Sequence, residues 1–201
     1  MLKRLFNLFR KKGDRSLRID GEKCFLRTFG ESDAKALATL LSDNKHFWST
    51  YEPLHREDFY TEEAQYKKIL EGLQLLALNR EFSFGIYENE SEKLIGHISL
   101  YAIKRMPYSS AFVGYSMDQQ FVGRGIATEA VKLIIELAFD SLKLHRVEAY
   151  IAPENVPSIR VIEKVGFVKE GLLRKLLFIN GDWVDHYMYA ILQEEYLQKK
   201  E

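Results

Sequence analysis

With a single cysteine, Cys24, in 201 residues, the sequence excludes an internal disulfide and any cysteine-cluster metal centre, and it fits a reducing, cytoplasmic setting. Proline is scarce, at four residues, and there is no low-complexity tract, internal repeat or interdomain linker. No apolar run approaches the roughly 20 residues that cross a bilayer. Net charge is absent too: 29 Lys and Arg balance 29 Asp and Glu, so the chain lacks the basic field of a nucleic-acid binder.

The balance conceals a local excess. Lys3, Arg4, Arg10, Lys11, Lys12 and Arg15 against Asp14 place a net +5 in the first fifteen residues and leave −5 for the rest. In "MLKRLFNLFRKK", Leu2, Leu5, Phe6 and Phe9 share one helical face. Charges interrupt that apolar stretch and no small-residue cleavage site follows, so a signal peptide is not expected. Residues 1–21 are read as a basic amphipathic extension outside the fold, either a solvated tail or an arm for an anionic membrane or a ribosome. Residues 22–201 then form one domain.

Within that domain the periodicity is mixed. "CFLRTF" (24–29) alternates as a strand, and "ESDAKALATLLS" (31–42) carries Ala34, Leu37, Ala38 and Leu41 at helical spacing behind Ser32 as cap. "FWSTYEPLHRED" reads as a loop. Thr61 opens a second amphipathic helix over 61–78 with acids in its first turn. "FSFGIYE", "KLIGHISLYAI" and "SAFVGYSM" read as an antiparallel meander. After Gly125 the period turns helical through Phe139, "HRVEAYIA" returns to a strand, and "NVPSIRVIEKVGF" is a short helix with Pro157 in its first turn and Gly166 as its stop. Two strands close the chain.

The stretch "MDQQFVGRGIATEA" is the chemically informative one. A strand ending near Met117 enters a tight turn whose glycines, Gly123 and Gly125, let main chain approach a ligand. The next helix then presents unpaired amides with a partial positive charge. Such a turn suits phosphate. It is not a Walker loop, since no Gly-Lys-Ser/Thr follows, nor a dinucleotide fingerprint, whose third glycine is Thr128 here.

Gln120-x-x-Gly123-x-Gly125, followed by Asn155-x-x-Ser158, resembles the acetyl-coenzyme A site of the GNAT superfamily of N-acetyltransferases. "GYSMDQQFVGRGIATEAV", "LHRVEAYIAPENVPSIRVIEKVGF" and "INGDWVDHYMYAIL" are most similar to the RimJ/RimL-type enzymes, the ribosomal-protein N-terminal alanine acetyltransferases. The resemblance implies a GNAT α/β (α+β) fold: a mixed, mostly antiparallel sheet of six or seven strands flanked by helices. Its fourth and fifth strands would be parallel and splay around acetyl-CoA. It implies that amides from Phe121 through Val122, Gly123, Arg124, Gly125, Ile126 and Ala127 hold the pyrophosphate, with Gln120 beside them. Tyr115, Ser116 and Met117 would pair with the pantetheine arm, and the Met117 amide would meet the oxyanion. Asn155 would lie against the arm and Ser158 near the sulfur. As a plain reading, Asn155 and Ser158 also make an ordinary helix start, and Arg124 is either a phosphate ligand or a solvated first-turn residue.

Acetyl transfer to an amine needs alignment and a neutral nucleophile. An α-amine near pKa ~7.8 is about one-tenth neutral at pH 7, whereas a lysine near ~10.4 is neutral about once in a few thousand. A modest base therefore serves an α-amine. Glu52, in "TYEPL", matches a Trp/Tyr-Glu-Pro element of this branch and is the candidate, although Glu before Pro is also a common loop pair. His97 and His145 read as structural, and Asp185 with Trp183 matches the branch's "G-x-W-x-D" pattern. Two positions depart from the family: Ile162 stands where many members have a tyrosine acid, and Leu177 where some have a carboxylate. The implied acceptor is an amine, foremost a protein N-terminus and possibly a ribosomal one. A small amine and a non-catalytic acyl-CoA-binding module remain alternatives. No metal is expected, His46 and His55 being too widely spaced for a zinc site, and the chain is a monomer or homodimer.

Overall fold

The computed structural model describes residues 16–200. The basic amphipathic segment over residues 1–15 lies outside them. Eight strands form one sheet in the order β1-β2-β3-β4-β5-β6-β8-β7. They are β1 (Arg18–Asp20), β2 (Cys24–Thr28), β3 (Phe82–Glu88), β4 (Leu94–Lys104), β5 (Ser110–Met117), β6 (Arg146–Ile151), β7 (Val168–Ile179) and β8 (Asp182–Leu192). The helices are α1 (Ala34–Trp48), α2 (Glu62–Ala77), α3 (Ile126–Glu136), α4 (Val156–Val165) and α5 (Gln193–Gln198).

Two expectations are corrected. The sheet has eight strands because Arg18–Asp20 pairs antiparallel with β2, so ordered sheet begins before the expected boundary at residue 22. The first helix starts later and runs longer than 31–42. Asp33 accepts the Gly30 amide (2.8 Å) and binds Arg27 through both carboxylate oxygens (2.9 and 3.0 Å), which fixes a 3-10 turn over Glu31–Asp33 ahead of the α-helix. Ser32 therefore caps nothing, and the helix continues into the expected loop as far as Trp48. Thr61 does cap α2, accepting the Ala64 amide at 3.3 Å.

Apolar side chains cover both faces of the sheet. Leu37, Leu40 and Leu41 of α1 and Ile69 of α2 bury against Phe25, Tyr87 and Leu94 on one face. Ala130, Val131, Leu133 and Ile134 of α3 and Ile162 of α4 bury against Leu26, Ile86, Ile98 and Val147 on the other. The strand connections stay antiparallel except one: β5 and β6 run parallel, and they pair only at Ser110 with Arg146, Ala111 with Val147 and Phe112 with Glu148. Beyond Phe112, β5 keeps β4 as a neighbour and β6 keeps β8, so the sheet opens into a wedge.

Candidate active site

The hydrogen-bond parity of β5 determines what that wedge offers. The Asp118 amide donates to the Ile95 carbonyl at 2.8 Å. Antiparallel residues exchange backbone bonds at every second position, so Ser116 and Gly114 turn their backbone toward β4 in the register of Gly96 with Met117. Tyr115 and Met117 turn theirs the other way, toward the side β6 has vacated. The Met117 carbonyl is taken by the indole Nε1 of Trp48 at 2.8 Å. Its amide faces the wedge.

At the end of β5 the chain makes a 3-10 turn over Gln119–Phe121. Here the amide row expected from Phe121 shortens: Asp118 Oδ1 accepts the Gln120 amide (3.0 Å) and the Asp118 carbonyl accepts that of Phe121 (2.9 Å). The amides from Gly123 to Ala127 make no hydrogen bond of normal geometry to another described residue. Gly123 and Gly125 have φ of 78° and 80°, a left-handed conformation that costs a side-chain-bearing residue energy. The turn therefore aims free amides at the start of α3, the arrangement that binds an anion.

The turn is braced from behind. Glu129, in the first turn of α3, accepts the amides of Glu22, Lys23 and Cys24 at 2.6, 2.8 and 3.1 Å, and Lys23 Nζ donates to the Arg124 carbonyl at 3.0 Å. Arg124 folds back over its own turn, donating to the Gln120 carbonyl (2.8 Å) with its guanidinium 4.6 Å from the Phe121 ring centroid.

Across the wedge, Asn155 caps α4 by accepting the Ser158 amide at 3.2 Å. Ser158 Oγ meets the Tyr115 phenol at 2.8 Å. Sequence reasoning valued Tyr115 for its backbone and missed its side chain. Ile162, where the resemblance would place a tyrosine on α4, is fully buried in the core, and the phenol beside Ser158 belongs to β5. Burial pushes the Tyr115 phenol up to about 12, with the Ser158 hydrogen bond opposing.

On the other face, Glu52 accepts a short hydrogen bond from Ser116 Oγ. Burial raises the Glu52 carboxyl above the usual range, while the Ser116 bond and Lys68 oppose that shift. Lys68, on α2, is a second residue the sequence did not single out. Burial lowers its amine from the ordinary lysine value, and Glu81, Glu52 and Glu71 oppose. His97 stands edge-on to Trp48 at 5.4 Å with its Nε2 buried and unpartnered among the described residues. Burial, then Lys68, drives its pKa down to about 4, so it is neutral at pH 7.

A cavity of about 570 Å³ joins these groups, lined by Glu52, Lys68, His97, Tyr115, Ser116, Asn155 and Ser158. It runs from Tyr51 and Pro53 to Leu177 and His186 of the last hairpin. Asp185 and His145 stand apart from it: Asp185 accepts the Lys175 amide (2.7 Å) at the irregular stretch of β7, and His145 faces Glu194. Trp183 packs edgewise on Phe178 and is exposed.

Residues 23–168 match the family model described as an acetyltransferase (GNAT) domain. The chain belongs to the GNAT acetyltransferases. Among GNAT relatives, the probable N-acetyltransferase YjcK of Bacillus subtilis (strain 168) is 41% identical over 177 residues, 88% of this chain and 98% of that protein. The crystal structure of a ribosomal-protein-S5-alanine acetyltransferase from Vibrio fischeri superposes with a TM-score of 0.85 at 33% identity, covering 89% of this chain and 98% of that one. Mycobacterium smegmatis RimJ in complex with CoA-disulfide gives 0.82 at 28% identity, covering 86% and 83%. This GNAT chain is thus an N-acetyltransferase of RimJ/RimL-like structure, with acetyl-CoA as its acetyl donor. Among the described residues no helix is long and apolar enough to cross a membrane.

Proposed function

We propose that the chain transfers acetyl from acetyl-CoA to the α-amine of a protein N-terminus, a ribosomal protein being the foremost candidate. The observation that carries this reading is Glu52, a carboxylate held by Ser116 in the cavity that Tyr115 and Ser158 also line. Beside it His97 is too weakly basic to accept a proton at neutral pH. A carboxylate acting through water suits an amine already about one-tenth neutral, whereas a lysine amine demands a stronger base. The Vibrio fischeri S5-alanine acetyltransferase, alike over nearly its whole length, supports the same acceptor class.

In this reading acetyl-CoA brings an activated acyl group, and the chain's residues align, polarise and discharge it. The free amides from Gly123 to Ala127, with those of α3's first turn, hold the pyrophosphate. The open edge at Tyr115 and Met117 pairs with the pantetheine arm as an added strand would. The Met117 amide donates to the oxyanion, Glu52 receives the amine's proton through water, and Ser158 meets the departing sulfur. A second reading, a small diffusible amine, is favoured by one contact. Asn180, in the turn of the last hairpin, donates to the Ser49 carbonyl at 2.6 Å and bridges one end of the groove an incoming peptide would use.

Mass spectrometry after incubation with acetyl-CoA separates the two readings, using peptides beginning Ala, Ser or Met beside internal-lysine and polyamine controls. The expected result is α-acetylation of the small-residue starts. Labelling of lysine or polyamine alone overturns the peptide assignment.

A further inference from the structure

We infer that Tyr115 is a positioning residue that sets the direction of the Ser158 hydroxyl, so that Ser158 presents its proton to the sulfur leaving the acetyl group. The inference rests on the reading of Ser158 given above and extends it to a residue on the opposite side of the wedge.

The argument begins with the strands. Where β5 and β6 stop pairing at Phe112 and Glu148, no backbone ladder spans the gap. Tyr115 lies three residues further along β5, and its phenol crosses to α4 and closes on Ser158, 43 positions away in sequence, with Oη 2.8 Å from Oγ. The same phenol oxygen is 3.4 Å from the Ser158 carbonyl. Both Ser158 oxygens within its reach can accept, and a phenol has one proton to give.

In this inference Tyr115 is the donor and Ser158 the acceptor. A serine hydroxyl has one hydrogen and two lone pairs. If Ser158 donated to Tyr115, its only hydrogen would be spent; if it accepts, that hydrogen is free. Burial holds the Tyr115 pKa at about 12, so the phenol stays protonated through the neutral range and remains available as donor. A helical serine commonly spends its proton on a carbonyl one turn back. Among the described residues Ser158 Oγ makes no such bond: the Glu154 carbonyl takes the Tyr51 hydroxyl at 3.3 Å, and the Asn155 carbonyl takes the Ile159 amide at 3.0 Å. With Tyr115 filling one lone pair, the Ser158 hydrogen turns into the cavity that Tyr115, Asn155 and Ser158 line together.

The step balances without an acid of matched pKa. The amine nitrogen forms its bond to the acetyl carbon, the carbon–sulfur bond breaks, and its electron pair leaves on sulfur. Ser158 donates a hydrogen bond to that thiolate and keeps its proton, and the thiolate is protonated by water. The proton lost by the amine passes through Glu52 to solvent. Tyr115 gives up nothing and contributes by orientation.

A double-mutant cycle tests this on the full chain, using Tyr115→Phe, Ser158→Ala and the pair, with kcat, KM for acetyl-CoA and calorimetric affinity for coenzyme A measured for each. Tyr115→Phe is expected to lower kcat about tenfold, the scale of one lost hydrogen bond, with coenzyme A affinity unchanged. In the Ser158→Ala background the same change is expected to cost nothing further. Tyr115→Met, which also lacks a donor, should repeat that split. Equal losses in both backgrounds, or an unchanged kcat, overturn the inference while the site stands. If the unaltered protein does not bind coenzyme A, the reading of the site falls and takes this inference with it.

Discussion

The indole Nε1 of Trp48 donates to the carbonyl of Met117 at 2.8 Å, joining the last residue of α1 to the last residue of β5 across 69 positions of sequence. In a strand, the amide and carbonyl of one residue point the same way. With β6 displaced, both polar groups of Met117 would face the wedge. Trp48 satisfies the acceptor and leaves the donor, which is the polarity an oxyanion requires.

Replacing Trp48 with phenylalanine keeps an aromatic ring and removes that donor. The Met117 carbonyl, in a residue only 6% exposed, then lacks a partner. A loss of about 1–3 kcal/mol in denaturant-measured stability is expected, together with a fall in kcat larger than any change in coenzyme A affinity. Unchanged kcat in a folded variant contradicts the assignment of Met117.

For Glu52 activity and stability should move in opposite directions. Burial raises its pKa in the folded protein, so the folded state holds the proton more tightly than the unfolded chain. That contribution is full below the unfolded value near 4.5 and is lost as pH rises through the folded value. At pH 7 the buried charge is therefore a cost. Glu52→Gln keeps an acceptor for Ser116, so thermal unfolding at pH 7 should shift upward, with the gain disappearing near pH 4. The same variant should lose on the order of a hundredfold in kcat as the base is removed. A variant equally active at all pH values excludes Glu52 as the base.

His97 shifts the other way. Its pKa falls from 6.5 to about 4 because burial, then Lys68, disfavours the cation. Folded protein takes up this proton less readily than unfolded chain, so the contribution is full above pH 6.5 and is lost as pH falls toward about 4. His97→Asn should flatten the stability profile in that window, where the wild-type slope attributable to one group is at most about 1.4 kcal/mol per pH unit. Parallel profiles for the two proteins would rule this out.

Gly123→Val separates binding from folding. A Cβ at Gly123 meets no atom within 4 Å, so the substitution collides with nothing in the free protein. Its cost comes from φ of 78°, about 1–2 kcal/mol, and from a branched side chain beside the free amides. The domain should still unfold cooperatively while coenzyme A affinity drops at least tenfold by calorimetry. Unaltered affinity removes the pyrophosphate from this turn.

Much of this was legible before any coordinates, and the reasons differ by residue. Gly123, Gly125, the Asn155 cap and Gly166 are local signals, because each depends on the backbone conformation of its own few residues. Ser32 misled because Asp33, one residue on, binds both Gly30 and Arg27, a contact with another strand that outweighs a local cap preference. The Phe121 amide, expected in the phosphate-binding row, is drawn with that of Gln120 into the turn of Asp118, a contact that spacing alone does not reveal. Asp185, for all its motif, supports a strand irregularity.

The sequence by itself determined the alternation of β5, the glycine turn that follows it and the caps at Thr61 and Asn155, since these are decided by torsional preferences and spacing within a short stretch of chain. Only the tertiary structure decided that the open edge of β5 belongs to Tyr115 and Met117, that Glu52 reaches Ser116 from 64 positions away, and that the Tyr115 phenol of β5 meets Ser158 of α4. Periodicity assigns a side chain to a face, but it does not say where two parallel strands part. That point is set by how helices on both faces pack, and it is where the chemistry sits.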